Sequence, residues 1–180
     1  RNTTLNFKQQ PDWIALNKVN DPQARPSQIA GQINADGTIL IVNRNGILFN
    51  GSSQITTRNL IASALPINDS LWNAGILFSN PDAKFTFSAY GETAGTKGPT
   101  EAFVAPTATA SSQQSQVVVE AGAQISTPAR DDNNGGRVML IGPTVINRGN
   151  IRTPDGQAIL AAGQQVAFTP HSTDANLRGL

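Results

Sequence analysis

The sequence predicts an all-β chain wound as a β-solenoid, because short alternating apolar runs are separated by Asp-Gly and Asn-Gly corners and recur in the same order. The fullest copy runs from Gly31 to Phe49. It reads Gln32-Ile33-Asn34-Ala35, the corner Asp36-Gly37, Thr38-Ile39-Leu40-Ile41-Val42, the corner Asn45-Gly46, and Ile47-Leu48-Phe49. Gly149-Asn150-Ile151 followed by Asp155-Gly156-Gln157-Ala158-Ile159-Leu160 repeats the plan, and Gly136-Arg137-Val138-Met139-Leu140 carries its second half alone. A period of two requires extended backbone, and Gly after Asp or Asn suits a corner with positive φ. Each such rung is too small to bury its apolar face alone, so the repeats must stack.

Taken in order, Thr4-Leu5-Asn6-Phe7 and Ile14-Ala15-Leu16-Asn17-Lys18-Val19 are strand candidates split by Pro11, and Asp21-Pro22 to Pro26 is a turn-rich connection. Residues 29–90 carry strands at close spacing, among them Gln54-Ile55-Thr56, Gly75-Ile76-Leu77-Phe78 and Lys84-Phe85-Thr86-Phe87. Helix is expected at one place, Asn59-Leu60-Ile61-Ala62-Ser63-Ala64-Leu65, where apolar residues fall three and four apart before Pro66. Gly, Pro, Thr, Ala, Ser and Gln dominate from Gly91 to Ser115, so residues 91–116 are expected to leave the solenoid as an excursion, with a hairpin around Glu101-Ala102-Phe103-Val104. Patterning resumes at Val117-Val118-Val119 and runs to Phe168, interrupted by the polar corner Asp131-Asp132-Asn133-Asn134, and residues 170–180 form a polar tail. The inward phase assigns Ile33, Ile39, Ile41, Leu48, Ile125, Val138, Leu140, Ile151 and Leu160 to one elongated core.

Composition narrows the function. The 180 residues amount to one domain or part of one, 14% are charged, and the formal net charge is +1. Such a chain has no field with which to hold nucleic acid or steer an acidic substrate. Cysteine is absent, which excludes disulfides, thiolate metal sites and a Cys nucleophile. No apolar run approaches the roughly 18–20 residues of a membrane span. The chain opens on Arg1 without a signal peptide, so a processed or excised segment, monomeric, is expected.

Catalytic and cofactor chemistry finds little support. His171 is the only histidine and lies in the polar tail after Pro170, with no Ser or Asp partner assignable to it. Asp131-Asp132 precedes Asn-Asn-Gly-Gly and reads as a solvated turn rather than a Ca²⁺ loop, which needs regularly spaced carboxylates. Trp13, Trp72 and Tyr90 are isolated aromatics, better suited to core or coil-end positions than to sugar stacking. Gly31, Gly37 and Gly46 are followed by no helix and no Lys-Ser/Thr, which argues against a phosphate loop. The expectation is a protein that is not an enzyme and holds no metal or cofactor. The enzyme alternative, a polysaccharide-active β-helix, needs clustered carboxylates with Lys or Arg, and 12 acids spread over the chain offer no such cluster.

Ser27-Gln28-Ile29 leading into Gly31 to Ile47, followed by Leu60 to Leu65, Gly136 to Pro143, Val145 to Ile151 and Leu160-Ala161-Ala162-Gly163, resembles the filamentous-haemagglutinin-like exoproteins of Gram-negative two-partner secretion systems. The resemblance covers residues from about 14 to 168 except Gly91–Ser115. It implies a right-handed single-stranded parallel β-helix with extra-helical hairpin or loop excursions. It also implies that residues 1–180 form the amino-terminal secretion domain without its extreme N-terminus. The family carries Asn-Pro-Asn-Gly-Ile where this chain has Asn43-Arg44-Asn45-Gly46-Ile47, so these five are the expected secretion motif. Arg44 replaces the residue that would fix φ near −65°. The family's upstream motif, Asn-Pro-Asn-Leu, has no counterpart; the chain starts inside the domain or has diverged there.

The implied partner is an outer-membrane β-barrel transporter with periplasmic domains, the implied location the secreted or cell-surface space reached through the periplasm. The passenger further on would be an adhesin, a cytolysin or a contact-dependent toxin. The alternative is an adhesive module that itself contacts a host surface or glycan. For the motif, two readings stand together: a corner held by Asn side chains, and a signal read by the transporter while the chain is extended.

Overall fold

The computed structural model describes residues 3–75, 86–90, 115–129, 135–170 and 178–179. The expected strands at Ile76–Phe78 and Lys84–Phe85, nearly all of the 91–116 excursion, the Asp131–Asn134 corner and His171 lie outside them.

Parallel pairing builds the molecule rung by rung. The first rung contains β1 (Thr4–Phe7), β2 (Ile14–Lys18) and β3 (Ser27–Ile29). The second contains β4 (Gln32–Val42) and β5 (Ile47–Phe49), and the third β6 (Gln54–Ser63). Between β6 and the strand that completes its rung come helix α1 (Asp69–Gly75) and β7 (Phe87–Ser88); β8 (Gln116–Val119) then closes the rung. The fourth has β9 (Gln124–Ser126), β10 (Arg137–Gly142) and β11 (Thr144–Asn147), and the fifth β12 (Asn150–Arg152) and β13 (Gln157–Ala162). After these, β14 (Gln165–Val166) pairs antiparallel with β7, and β15 (Thr169–Pro170) with β16 (Arg178–Gly179). The rungs stack about five turns deep, the parallel β-helix expected from the sequence.

Register converts sequence period into columns. Leu5, Ile33, Ile55, Ile125 and Ile151 stand one above another, as do Ala15, Ile39, Leu60, Val138 and Ala158. The second sheet contributes Ile47 beneath Val117 and Phe49 beneath Val119. The middle rungs of both sheets meet in one buried core, with Ala15 and Ile151 partly buried against it, while Leu5 and Ala158 at the two ends of the columns are exposed. The outward positions beside the first column are polar and bond along the axis: Thr4 Oγ1 donates to Gln32 Oε1 at 3.2 Å, and Gln32 Nε2 to Gln54 Oε1 at 3.3 Å. Neutral side chains can be stacked this way at strand spacing, whereas like charges directly opposite would repel.

The structure corrects the sequence reading at four places. Asn59–Leu65 is not helix; residues 59–63 complete β6. Leu60, Ala62 and Ala64 enter the solenoid core, while Ile61 and Leu65 enter a second apolar cluster on the outer face. A strand buried on both faces loses its alternation and mimics a short apolar helix. Leu48 points outward, half-buried, and Ile47 and Phe49 take the inward positions. Leu160 keeps the inward register above Leu140 yet is 46% exposed, because no rung described here covers it. Asp36-Gly37 is no corner: β4 runs through it with a register shift against β6 between Ala35 and Thr38. Glycine is needed there for close approach, since a Cβ would press on Gln9 Nε2 and lie 2.6 Å from Trp13 O.

Asn59, at the same shift, ties three rungs together. Its Nδ2 donates to Thr38 Oγ1 at 2.8 Å, and its Oδ1 accepts the Arg137 N–H at 2.9 Å. The helix at 69–75 was not foreseen; Asn68 caps it, its Oδ1 accepting from Ser70 N at 3.1 Å and Leu71 N at 3.2 Å.

Both end rungs leave inward-register apolar residues exposed. At the first, Leu5 is 51% exposed, while Gln9 Nε2 reaches Trp13 O and Thr38 O and Asn17 Nδ2 reaches Leu40 O. At the fifth, Ala158, Leu160 and Ala162 are exposed above the buried Val138, Leu140 and Gly142. Leu60→Ala should therefore cost about 2–5 kcal/mol, and Leu48→Ala about 1 kcal/mol or less, in urea unfolding. Equal losses would contradict the inward and outward assignments.

Candidate functional site

The corner between β4 and β5 holds the expected secretion motif. The Gly46 N–H donates to Asn43 O at 2.9 Å, closing a four-residue turn with Arg44 and Asn45 at its centre. Neither central residue has positive φ, whereas Gly46 has φ +113°. That is the geometry of a type I turn followed by glycine, which the left-handed conformation favours. The turn also passes the chain from one sheet to the other. Asn43 N–H donates to Ser63 O at 3.0 Å, extending the β4–β6 ladder, and Ser27 N–H donates to Gly46 O at 3.0 Å, extending the β3–β5 ladder.

Asn43 is fully buried, and both polar atoms of its carboxamide are hydrogen-bonded. Nδ2 donates to Arg25 O at 3.2 Å and Ser27 Oγ at 2.9 Å, while Oδ1 accepts the Asn45 N–H at 2.9 Å. The first two bonds reach back to the preceding rung, and the third shapes the turn. Asn has the length and the donor-acceptor pair for this; Asp lacks the donors. Burying the amide unpaired would be costly, so the three bonds hold only in one register.

The motif residues are thus unequal. Arg44 is exposed at the tip, and Asn45 is half-buried with its backbone N–H, rather than its side chain, in the hydrogen-bond network among the described residues. Ile47 is buried in the core beneath Val117. Sequence reading treats Asn43 and Asn45 alike and offers them the local backbone or a neighbouring coil's Asn; Asn43 does bond the local backbone, at the Asn45 N–H, but its other partners differ. Arg25 lies in the preceding connection and Ser27 opens β3, and Pro22 and Pro26 mark the turn without showing where it docks.

That connection has its own clamp. Asp21 accepts from Arg25 Nε at 2.7 Å and from the Gln23 N–H at 2.8 Å, and these bonds hold its carboxyl below the usual carboxylate range. The folded form is favoured while Asp21 is ionised, and this contribution fades as pH falls through its lowered pKa.

Trp13 is exposed, and Trp72 is half-buried against the outer apolar cluster. Among the described residues, no group of three or more His, Asp or Glu is placed to hold a metal ion, and no helix is long and apolar enough to cross a membrane.

Asn43→Ala strands Arg25 O, Ser27 Oγ and the Asn45 N–H, and should cost at least about 2 kcal/mol, against less than about 1 kcal/mol for Asn45→Ala. Arg44→Pro should be neutral or stabilise by up to about 1 kcal/mol, since position two of a type I turn accepts proline. Urea midpoints of the three variants check this ranking.

Residues 1–105 match the family model described as the TPS secretion domain. No curated protein matches the chain. The match spans more than half of the sequence, includes the Asn43–Ile47 corner and accords with the stacked parallel rungs. The chain belongs to the TPS secretion domain family, the secretion-targeting modules of two-partner secretion across the outer membrane of Gram-negative bacteria, which work with an outer-membrane transporter.

Proposed function

We propose that Asn43 serves secretion twice: it is presented to the transporter's periplasmic domains while the chain is extended, and it closes the corner that nucleates β-helix folding at the cell surface. The observation that carries this reading is the full burial of Asn43, with both Nδ2 donors and Oδ1 bonded inside the protein. A side chain in that state offers a partner nothing, so a partner that reads it must meet it before the corner forms. Once the chain emerges, the same amide docks on Arg25 and Ser27 and joins the first two rungs. Folding on the outer side then opposes return of the chain.

Export of the full-length exoprotein, co-expressed with its transporter, tests the proposal. Asn43→Ala should sharply lower the amount outside the cell at unchanged synthesis, and Asn45→Ala should lower it less. Binding of the unfolded chain to the transporter's periplasmic domains separates the two roles, since it weakens only if Asn43 is read directly. Undiminished export of Asn43→Ala would overturn the proposal.

A further inference from the structure

The outer face of the first sheet carries a second apolar layer that the solenoid itself does not require. Leu40, Val42, Ile61, Met139 and Ile141 point away from the core yet are buried, because Leu65, Ile67, Phe87, Val166 and Phe168 lie over them. The cover comes from segments far apart in sequence. Thr86–Ala89 is bonded on one side to the stretch after β6, with Asn68 N–H to Thr86 O at 2.9 Å and Ser88 N–H to Pro66 O at 3.0 Å. On its other side it is bonded to the stretch after β13, with Thr86 N–H to Val166 O and Ala89 N–H to Gln164 O, both at 2.8 Å. Phe168 N–H adds a bond to Thr86 Oγ1 at 3.1 Å, and the rings of Phe87 and Phe168 meet edge to face, 5.6 Å between centroids.

We propose that residues 164–168 form a closing strap, a separately opening element that seals the outer layer only after all five rungs are in place. Chain order and register argue for it. The strap follows the fifth rung in sequence, and Ile159 and Ala161 of that rung pack against the layer it closes. Before it seats, Thr86–Ala89 can remain on Pro66–Asn68 while one edge of the small sheet is unpaired and Phe87 lacks its aromatic partner. The strap joins Phe87–Ser88 by a two-residue antiparallel ladder, and so short a ladder opens at lower free energy than the longer ladders between stacked rungs. The strap also lies outside the stretch matched by the family model, so the folded unit of this chain extends beyond residue 105. This inference concerns closure of the domain and stands whether or not Asn43 governs export.

Native-state hydrogen exchange on the full chain tests it. The amides of Thr86 and Ala89 should exchange roughly a hundredfold faster than those of Leu60 and Val138, through an opening insensitive to low denaturant. The chain has no cysteine, so Ser88→Cys with Gln165→Cys, two residues directly opposite in the β7–β14 pair, gives a single defined cross-link on oxidation. Locking it should slow Thr86 and Ala89 to the rate of the rung amides. Equal exchange of the two sets before cross-linking, or no slowing after it, would overturn the proposal. Phe168→Ala supplies a second reading: it should raise binding of an apolar dye while the far-ultraviolet circular dichroism of the solenoid persists. Loss of that signal, or unchanged dye binding, would show that the strap is not a separate element.

Discussion

In-register stacking of unlike segments is the constraint on which everything else here depends. Full burial of one Ile or Leu is worth roughly 1.5–3 kcal/mol, whereas ordering one residue's backbone costs about 1–2 kcal/mol. A single rung with three or four inward side chains therefore cannot persist alone. Ile33 gains its burial from Leu5 and Ile55, and Ile55 from Ile33 and Ile125, so a shift of one residue would expose a whole column. The corner at Asn43, the bridge at Asn59 and the axial Gln and Thr bonds are all devices that hold this register.

The same constraint explains the composition. Parallel columns bring like residues together, and repeated charges would repel along the axis, so neutral amides and hydroxyls occupy the outward positions beside the first column through four rungs, and a single charge, Arg152, follows at the fifth. The ion pairs stand away from the columns. Lys18–Asp69, at 2.8 Å and half-exposed, joins the first rung to α1, and Arg25–Asp21 clamps the connection that receives Asn43. Ion pairs in contact with solvent are screened and weak, enough to orient a segment and too little to carry the fold.

Much of this was legible in the sequence, because period and corner chemistry are local. β1, β5 and the Val117–Val119 strand fall where the alternation places them, and Asn45-Gly46 forms a turn with positive φ at the glycine. What failed were the places where tertiary structure changes the meaning of a local pattern. Asn59–Leu65 imitated a helix because an outer layer, invisible to periodicity, covers its second face. Leu48 was assigned inward by analogy with Ile39, but Asp36-Gly37 is a shift within a strand and Asn45-Gly46 a true turn, so counting from the two glycines gives opposite faces. At the motif, the residue types were readable and the partners were not. Arg25 O and Ser27 Oγ meet Asn43 only after the first two rungs stack.

In the proposed function, the Asn43 corner forms early and sets the register for the rungs that follow. Refolding and unfolding rates of Asn43→Ala in the isolated chain, measured by denaturant-jump fluorescence, test it most directly. Most of the lost stability should appear as slower refolding, with a φ-value above about 0.5. An unchanged refolding rate, with the whole loss appearing as faster unfolding, would contradict it.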